Sequence, residues 1–258
     1  MIAKENFKAS FLAQPNPHSK IKKIFAIVSG KGVVGKSLIT SLTAIELRRR
    51  GYRVGIMDAD ITGPSIPQIF NLHGPLYSGD DGIIPAETRT GIEVVSANLI
   101  VEDPTAPIIW RSPIITGLIK QFYSDVYWGE LDYLLIDLPP GTGDVPLTVF
   151  QSIPLDGIII VTTPQDLVSL IVEKARNMAE QMEIPVVGIV ENMSYVICSN
   201  CGEKTYLFRR KNSYITDYEP IAQLPLNGEI AEMCDEGRLE ECAVDYLDEL
   251  IKELEKQS

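Results

Sequence analysis

The sequence has little histidine, cysteine and tryptophan, and it lacks any long apolar run. Only two histidines occur in 258 residues, His18 and His73, so catalysis built on histidine is not expected. Four cysteines in a reducing compartment do not indicate a disulfide framework. No apolar run reaches the roughly 18 residues that a membrane-spanning helix needs. The first 22 residues contain no apolar segment typical of a secretory signal, so we expect a cytoplasmic protein without a membrane partner.

The sequence also has fewer positively charged than negatively charged residues. The chain contains 23 lysine and arginine residues against 35 aspartate and glutamate residues, which gives a formal net charge of −12. Sequence-independent binding to nucleic acid depends on basic charge, so we expect no nucleic-acid partner. Apolar residues make up 45% and charged residues 22%, as in an ordinary soluble domain. The length suits one large α/β domain or two small ones.

Apolar stretches alternate with amphipathic patterns along the chain. Continuous apolar strands such as KIFAIVS and LDYLLID, separated by helical segments, predict an α/β fold. Its sheet would be doubly wound and mostly parallel, with helices on both faces. A charged terminal helix is predicted within EECAVDYLDELIKELEKQ. We expect a flexible N-terminal arm over residues 1–22 and one folded domain over residues 23–258.

A glycine-rich loop, GKGVVGKS at residues 30–37, matches the phosphate-binding pattern G-x-x-x-x-G-K-[ST] at every fixed position. It follows an apolar strand and precedes a helix, which is the context that supports the motif. Its backbone amides and the start of the helix favour an anion. Lys36 would lie against the β- and γ-phosphates, and the Ser37 hydroxyl would coordinate Mg²⁺. The loop therefore predicts a P-loop ATPase domain, in which Lys31 is a second lysine that the simple motif does not need.

Acidic residues end two of the predicted strands. Asp137 ends LDYLLID, in the position of the Mg²⁺-binding acid that accompanies such a loop. Asp58 and Asp60 end another strand, where one would hold the metal through water and the other would orient the attacking water. We assign Asp58 to the metal, together with Ser37 and Asp137, and Asp60 to catalysis. The alternative for Asp58 and Asp60 is an Asx-turn before Gly63.

Cys198 and Cys201 form a Cys-x-x-Cys pair, in a loop that we place at residues 193–208 as an insertion in the ATPase domain. A single pair fits a zinc half-site, a redox dithiol, two inert thiols or two ligands of an iron–sulfur cluster. The sequence has no second such pair to complete a site in one chain. Two chains related by a twofold axis would supply four thiolates, which suits a [4Fe–4S] cluster or tetrahedral zinc. Cys234 and Cys242 fall in or near helical segments and are expected to be structural.

Five segments together resemble the Mrp/ApbC family of iron–sulfur cluster carrier ATPases. They are SGKGVVGKS, GIMDADITGPSIP, WGELDYLLIDLPPGTGD, IVTTPQD and ENMSYVICSNCGEKTYLF. The resemblance runs from about residue 22 to about residue 245. This family lies in the deviant Walker A group of P-loop NTPases, with MinD, ParA and the nitrogenase iron protein. The resemblance implies a protein that binds and hydrolyses ATP, holds a [4Fe–4S] cluster at a homodimer interface and transfers it to apoproteins.

The resemblance also assigns roles to single residues. It implies that Lys31 reaches across the dimer interface to phosphate on the partner's nucleotide. Together with Lys36 and Asp60, Lys31 makes up the expected catalytic set. The resemblance also implies that Asn192 contacts adenine and that Pro225 and Leu226 pack on the base. The nucleotide-binding set that follows is Gly30, Lys31, Gly32, Val33, Val34, Gly35, Lys36, Ser37, Leu38, Asn192, Pro225 and Leu226.

Val33 and Leu38 depart from the family pattern G-K-G-G-V-G-K-S-T. Val33 replaces a glycine, the residue that takes a positive φ at little cost, and it would crowd the partner's loop. Leu38 replaces the threonine whose hydroxyl commonly meets the α-phosphate. Both changes bear on the rate of hydrolysis, so a nucleotide-binding scaffold with little turnover is one alternative function. A positioning ATPase of the ParA/MinD kind is the other, which the acidic C-terminal segment disfavours because such proteins hold DNA or membrane through basic or amphipathic surfaces.

Overall fold

The computed structural model describes residues 12–61, 63, 65–100, 112–164, 169–207 and 219–257. Residues 1–11 of the predicted arm and residue 208 of the predicted Cys-x-x-Cys loop lie outside the described residues. The strands are β1 (Lys20–Ser29), β2 (Val54–Asp58), β3 (Tyr77–Gly79), β4 (Gly82–Ile84), β5 (Ala86–Glu87), β6 (Glu93–Ser96), β7 (Glu130–Asp137), β8 (Gly157–Thr162), β9 (Val186–Ile197), β10 (Lys204–Thr205) and β11 (Ala222–Pro225). The α-helices are α1 (Lys36–Arg49), α2 (Ile66–Ile69), α3 (Ser112–Ser124), α4 (Asp144–Ser152), α5 (Ser169–Gln181), α6 (Gly228–Asp235) and α7 (Asp248–Lys256).

Nine strands of the described residues form one sheet, in the order β10-β9-β8-β1-β7-β2-β6-β5 with β11 also paired to β9. Strand β1 is parallel to both β7 and β8, and β2 is parallel to both β7 and β6. Strands β5 and β10 pair antiparallel with their neighbours. The predicted doubly wound, mostly parallel sheet is confirmed. Because the carboxyl ends of its parallel strands lie at one edge, the loops that follow β1, β2 and β7 meet there.

Alternating side chains of β1 belong to two different core clusters. Phe25 and Ile27 pack in one cluster with Leu42 of α1, and Ala26 packs in the other with Phe122 of α3. Fully burying a large aliphatic or aromatic side chain contributes about 1.5–3 kcal/mol, so each layer of helices is held firmly against the sheet. This packing fixes the carboxyl edge of the sheet, where the candidate site lies. In the described part of the chain, no helix has the length and apolar character needed to cross a bilayer.

Strand β1 begins within the segment predicted as a flexible arm. Asn16 is buried, and its Nδ2 donates to the Asp81 carbonyl oxygen at 2.7 Å. The Ala13 amide donates to the Ser152 carbonyl oxygen at 2.7 Å. These contacts attach residues 13–22 to the folded domain. The polar composition of this segment gave no sign of them, because they join it to residues that are distant in the sequence.

The terminal helix begins later than its amphipathic pattern predicts. Helix α7 starts at Asp248, whereas the predicted helical segment starts at Glu240. The Glu240 side chain is buried and accepts hydrogen bonds from the Thr90 amide at 3.0 Å and from Thr90 Oγ1 at 2.5 Å. This contact with a remote loop holds Glu240 in a short 3₁₀ turn, so the α-helix starts only after it. The hairpin of β3 and β4 and helices α2 and α4 were not predicted.

Candidate functional site

The glycine-rich loop connects β1 to α1 and lines a cavity of about 670 Å³. Residues 31–38 line this cavity together with Asp60. Gly35 is the N-cap residue of α1, with φ of +81°, and no side chain caps the helix. The first N–H groups of an uncapped helix and its positive dipole end favour a bound anion. The loop therefore has the geometry that phosphate binding needs.

Lys36 is buried beneath this cavity, with 6% of its surface exposed. Its Nζ lies 2.8 Å from Asp137 Oδ1 and 3.9 Å from Asp60 Oδ2. Although the first distance is short, Nζ makes no well-directed hydrogen bond to any residue that the structure describes. A buried ammonium normally directs its three protons at acceptors. Lys36 can therefore offer protons to a bound phosphate.

Two hydroxyl groups hold the Asp137 carboxylate at the end of β7. Ser37 Oγ donates to Asp137 Oδ2 at 2.6 Å, and Thr40 Oγ1 donates to Asp137 Oδ1 at 2.8 Å. The Asp137 side chain is fully buried. Sequence reasoning identified Ser37 and Asp137 but missed Thr40. The available signal was its spacing, since residues three apart on a helix lie on the same face.

Asp58 lies directly opposite Asp137 in the register of β2 and β7. It is fully buried and accepts hydrogen bonds from Ser96 Oγ at 3.0 Å and from the Asp60 amide at 3.1 Å. Burial, and then the neighbouring Asp137 carboxylate, raise the pKa of Asp58 above its ordinary range. A divalent cation beside both carboxylates would offset their repulsion, and hard oxygen donors such as these and Ser37 Oγ suit Mg²⁺. Ser96 was not predicted, although its place at the end of the neighbouring strand β6 was an available signal.

Val33 lies at the exposed tip of the loop in a left-handed conformation. Its φ is +64° and 96% of its surface is exposed. Glycine adopts this conformation readily, whereas a β-branched residue rarely does. The replacement of glycine by Val33, which the sequence indicated, therefore introduces backbone strain at this position. Leu38, the other departure, is partly buried and lines the cavity of about 670 Å³.

The residues predicted around the base lie in different environments. Asn192 is buried, and its Nδ2 donates to the Val34 carbonyl oxygen at 3.0 Å. Leu226 is half-exposed and lines a second cavity, of about 410 Å³, which shares residues 31–34 of the loop with the first cavity. Pro225 is buried at the end of β11. Met193, with φ of +54°, lines both cavities, and nothing in the sequence indicated this.

The two lysines of the loop differ in exposure. Lys31 is exposed and lines both cavities, whereas Lys36 is buried beside two carboxylates. An exposed lysine at the rim of a cavity can reach outward, while a buried one acts within its own site. The structure thus gives the two lysines different environments.

Cys198 and Cys201 lie in the tight connection between β9 and β10. The Cys198 amide donates to the Glu203 carbonyl oxygen at 3.0 Å, and the Gly202 amide donates to the Cys198 carbonyl oxygen at 2.8 Å. Backbone N–H groups of Cys201 and Asn200 donate to the Cys198 sulfur and lower the pKa of its thiol. Cys201 is exposed and Cys198 is half-buried. The hairpin therefore makes it easier for Cys198 to form the thiolate, which is the form that binds metals.

The cysteine hairpin supplies only two ligands. Among the residues that the structure describes, no group of three or more His, Cys, Asp or Glu side chains is placed to hold a metal ion. Neither Cys198 nor Cys201 lines the cavities beside the loop. Cys234, expected to be structural, lines the larger cavity, and burial raises the pKa of its thiol to about 11. Cys242 is buried in the core.

The parallel sheet, the glycine-rich loop between β1 and α1, and the carboxylates at the strand ends define a P-loop nucleotide-binding protein. The family model described as the NUBPL iron-transfer P-loop NTPase, of the ParA group, matches residues 20–256. This chain belongs to that family. The resemblance found in the sequence motifs is thereby confirmed.

Several relatives cover most of the chain. It is 43% identical over 237 residues to the iron-sulfur cluster carrier protein of Clostridium perfringens, covering 87% of this chain and 83% of the relative. It is 46% identical over 225 residues to the protein of the same name from Methanocaldococcus jannaschii, covering 85% of this chain and 78% of the relative.

Two solved structures are similar to this chain. A nucleotide-binding protein from Archaeoglobus fulgidus, in complex with ADP, is 45% identical with a TM-score of 0.78, covering 88% of this chain and 91% of that chain. The cell division ATPase MinD of Pyrococcus furiosus is 19% identical with a TM-score of 0.62, covering 92% of this chain and 99% of that chain. The MinD similarity shows a common fold.

Proposed function

We propose that this protein is a cytoplasmic ATPase that carries a [4Fe–4S] cluster, held between two copies of the chain, and transfers it to apoproteins. The observation that carries the proposal is that one strand, β9, contacts the phosphate loop through Asn192 and continues directly into Cys198. A nucleotide site and a thiol pair are thus joined by one structural element. Membership of the iron-transfer family and the relatives named as iron-sulfur cluster carriers support this function.

The phosphate loop would hold the phosphates of ATP. Lys36 would contact the β- and γ-phosphates, and Ser37, Asp58 and Asp137 would hold Mg²⁺, which neutralises charge on those oxygens. Asp60 lines the same cavity, 3.9 Å from Lys36 Nζ, and would orient the attacking water. The similar Archaeoglobus protein in complex with ADP supports nucleotide binding.

The base would lie in the adjoining cavity. Leu226 lines that cavity and provides an apolar surface, and Pro225 precedes it at the end of β11. The adenine contact predicted for Asn192 stays a prediction.

Two copies of the chain would complete both centres. Each copy contributes Cys198 and Cys201, so a pair supplies the four thiolates that a [4Fe–4S] cluster needs. Tetrahedral zinc is the alternative metal for the same four ligands. Lys31 is exposed at the rim of its own cavity and would reach the nucleotide of the second copy, where a cation stabilises the charge of phosphoryl transfer.

Anaerobic reconstitution with iron and sulfide tests the cluster assignment. We expect about four iron atoms per two chains and the visible absorption of a [4Fe–4S] cluster in the wild-type protein. The double variant Cys198→Ala/Cys201→Ala should bind none. Cys234→Ala removes a thiol outside the hairpin and should load normally. Normal cluster loading in the double variant would remove the hairpin from the proposal.

A nucleotide-binding scaffold with little turnover is the second candidate. The observation that favours it is Val33, whose exposed side chain stands on the tip of the loop where a second subunit would approach. Steady-state phosphate release, measured with and without the cluster, separates the candidates. Turnover that stays at background in both states favours the scaffold.

A further inference from the structure

Strand β9 connects the phosphate loop to the cysteine hairpin. Its first part is parallel to β8 as far as Glu191, and its last residues, Val196 and Ile197, pair with β10. Cys198 follows directly. At about 3.3 Å per residue, roughly 20 Å of strand separates Asn192 from Cys198. The two proposed centres are therefore linked by a short and largely hydrogen-bonded segment.

A bulge lies in the middle of this segment. Glu191 is opposite Gln223 and Tyr195 is opposite Pro225, so four steps along β9 match two steps along β11. Met193, inside the bulge, has φ of +54°. Bulges redirect side chains and are common next to functional sites. This bulge contains Asn192, the residue of β9 that bonds to the phosphate loop.

The bulge and the phosphate loop are tightly packed against each other. Asn192 has 2% of its surface exposed, and its Nδ2 donates to the Val34 carbonyl oxygen at 3.0 Å. A Cβ atom on Gly35, the next residue of the loop, would lie 2.2 Å from Asn192 Nδ2. Any shift of the loop must therefore move the Asn192 amide or break its hydrogen bond. Leaving a buried N–H unpaired is unfavourable, so the loop and the bulge are expected to move together.

We propose that Asn192 is a positioning residue that couples the nucleotide state of the phosphate loop to the arrangement of Cys198 and Cys201. The inference rests on the proposed function and adds the physical link between its two centres. Nucleotide binding shifts the Val34 carbonyl, the Asn192 amide follows it, and the bulge reorients the hairpin. Because a coupling free energy is reciprocal, metal binding at the cysteines changes the phosphate loop in return.

Hydrogen exchange measured by mass spectrometry tests this coupling on the full-length protein in both directions. In the first arm, ADP and Mg²⁺ are added at saturation and exchange is followed at residues 194–205, in the hairpin. In the second arm, Zn²⁺ alone is added to the reduced protein and exchange is followed at residues 30–37, in the loop. In the wild-type protein we expect the distant segment to change its exchange rate by at least about twofold in each arm.

Two variants remove the hydrogen bond in different ways. Asn192→Asp keeps the shape but replaces the donor with a carboxylate that only accepts, and Asn192→Ala removes the side chain. Both should lose most of the distant response, with saturation verified for each variant. The zinc arm needs no nucleotide, so it tests the coupling in a variant that binds ADP weakly. Gln223→Ala is the matched control, because it removes an amide hydrogen bond to Glu191 of the same strand, at 2.8 Å, without touching the loop.

Two results with the variants would overturn the coupling. One is a wild-type distant response in Asn192→Asp, which is also the deciding variant if Asn192→Ala fails to fold. The other is an equal loss of response in Gln223→Ala, which would indicate general weakening of β9. A wild-type hairpin that ignores ADP would also reject the inference, even with normal cluster assembly. A protein that takes up no metal at its cysteines would reject the proposed carrier function instead, while the ADP arm still tests the coupling.

Discussion

Ser37 Oγ donates a hydrogen bond to Asp137 Oδ2 at 2.6 Å, so the hydroxyl and the carboxylate expected to share Mg²⁺ are already in contact. Residue 137 is 100 positions further along the chain, and the two meet because β7 ends beside the start of α1. When the cation binds, the hydroxyl proton must turn away so that both oxygens can face the metal. The fold thus brings this hydroxyl and this carboxylate together.

Ser37→Ala should remove most of the Mg²⁺-dependent part of ADP affinity, by about tenfold, because one oxygen ligand of the cation is lost. Calorimetric titration of ADP, with Mg²⁺ and then with a chelator, measures this difference. Ser41→Ala is the control, since Ser41 Oγ lies one turn later and donates to the Ser37 carbonyl oxygen at 2.8 Å. A full Mg²⁺ enhancement in Ser37→Ala would contradict the assignment.

Val33→Gly should stabilise the protein by up to about 1 kcal/mol. A left-handed conformation costs a non-glycine residue about 1–2 kcal/mol, and part of this gain is offset by the greater freedom of glycine in the unfolded chain. The exposed side chain loses little burial. Denaturant unfolding without nucleotide measures the change. Val34→Gly, at a buried position with 3% exposure, should instead destabilise by about 2–3 kcal/mol. Lower stability of Val33→Gly would show that its backbone is not strained.

Glu93→Gln should change how stability depends on pH. Glu93 Oε2 is buried without a hydrogen-bond partner among the described residues, and Glu87 lies opposite it in the register of β5 and β6. Burial, and then Glu87, raise the pKa of Glu93 from 4.5 to about 7, while Arg53 opposes the shift. Between these values the folded state keeps the proton and the unfolded state releases it. The wild-type protein therefore loses stability as pH rises through this window, and the loss is complete above it.

The glutamine variant stays neutral and does not suffer this loss. Its advantage over the wild type should grow by about 1–2 kcal/mol between about pH 5 and pH 8, allowing for solvent screening of a partly exposed group. Urea unfolding at several pH values measures both proteins. Parallel stability curves for the two proteins would show that Glu93 does not hold its proton in the folded state.

Lys31 should act on the nucleotide of the second copy. Lys31→Ala is expected to lower ATP hydrolysis by at least about tenfold. In a mixed dimer with Lys36→Ala, the Lys31→Ala subunit keeps its own Lys36, and the other subunit supplies Lys31. One of the two sites is then complete. Mixing two inactive variants should therefore restore phosphate release. An unchanged background rate in the mixture, with mixed dimers verified, would place Lys31 in its own site.

Local patterns were enough to predict the sheet and the phosphate loop. The main strands of the sheet and helix α1 are marked by their apolar patterns, and the loop motif lies between β1 and α1 as expected. Asp137 was predicted in the same way, because the acid that accompanies such a loop is expected at the end of a neighbouring strand. These features depend on neighbours in the sequence or on a simple rule of parallel sheets.

The remaining parts of the site depend on contacts between residues that are far apart in the sequence. Ser96 meets Asp58 across two strands, and Asn192 meets Val34 across 158 positions. The bulge that contains Met193 arises from the pairing of β9 with β11, which no local pattern specifies. The late start of α7 has the same cause, because Glu240 is held by a remote loop.

Position 35 is constrained twice over. Its φ of +81° favours glycine, and any Cβ there would collide with the amide of Asn192. Replacing Gly35 alone is therefore expected to have a different effect from replacing Gly35 and Asn192 together. Alanine at position 35 becomes sterically tolerable only when a shorter residue stands at position 192. The residues at positions 35 and 192 depend on each other, and engineering of this loop has to consider both positions together.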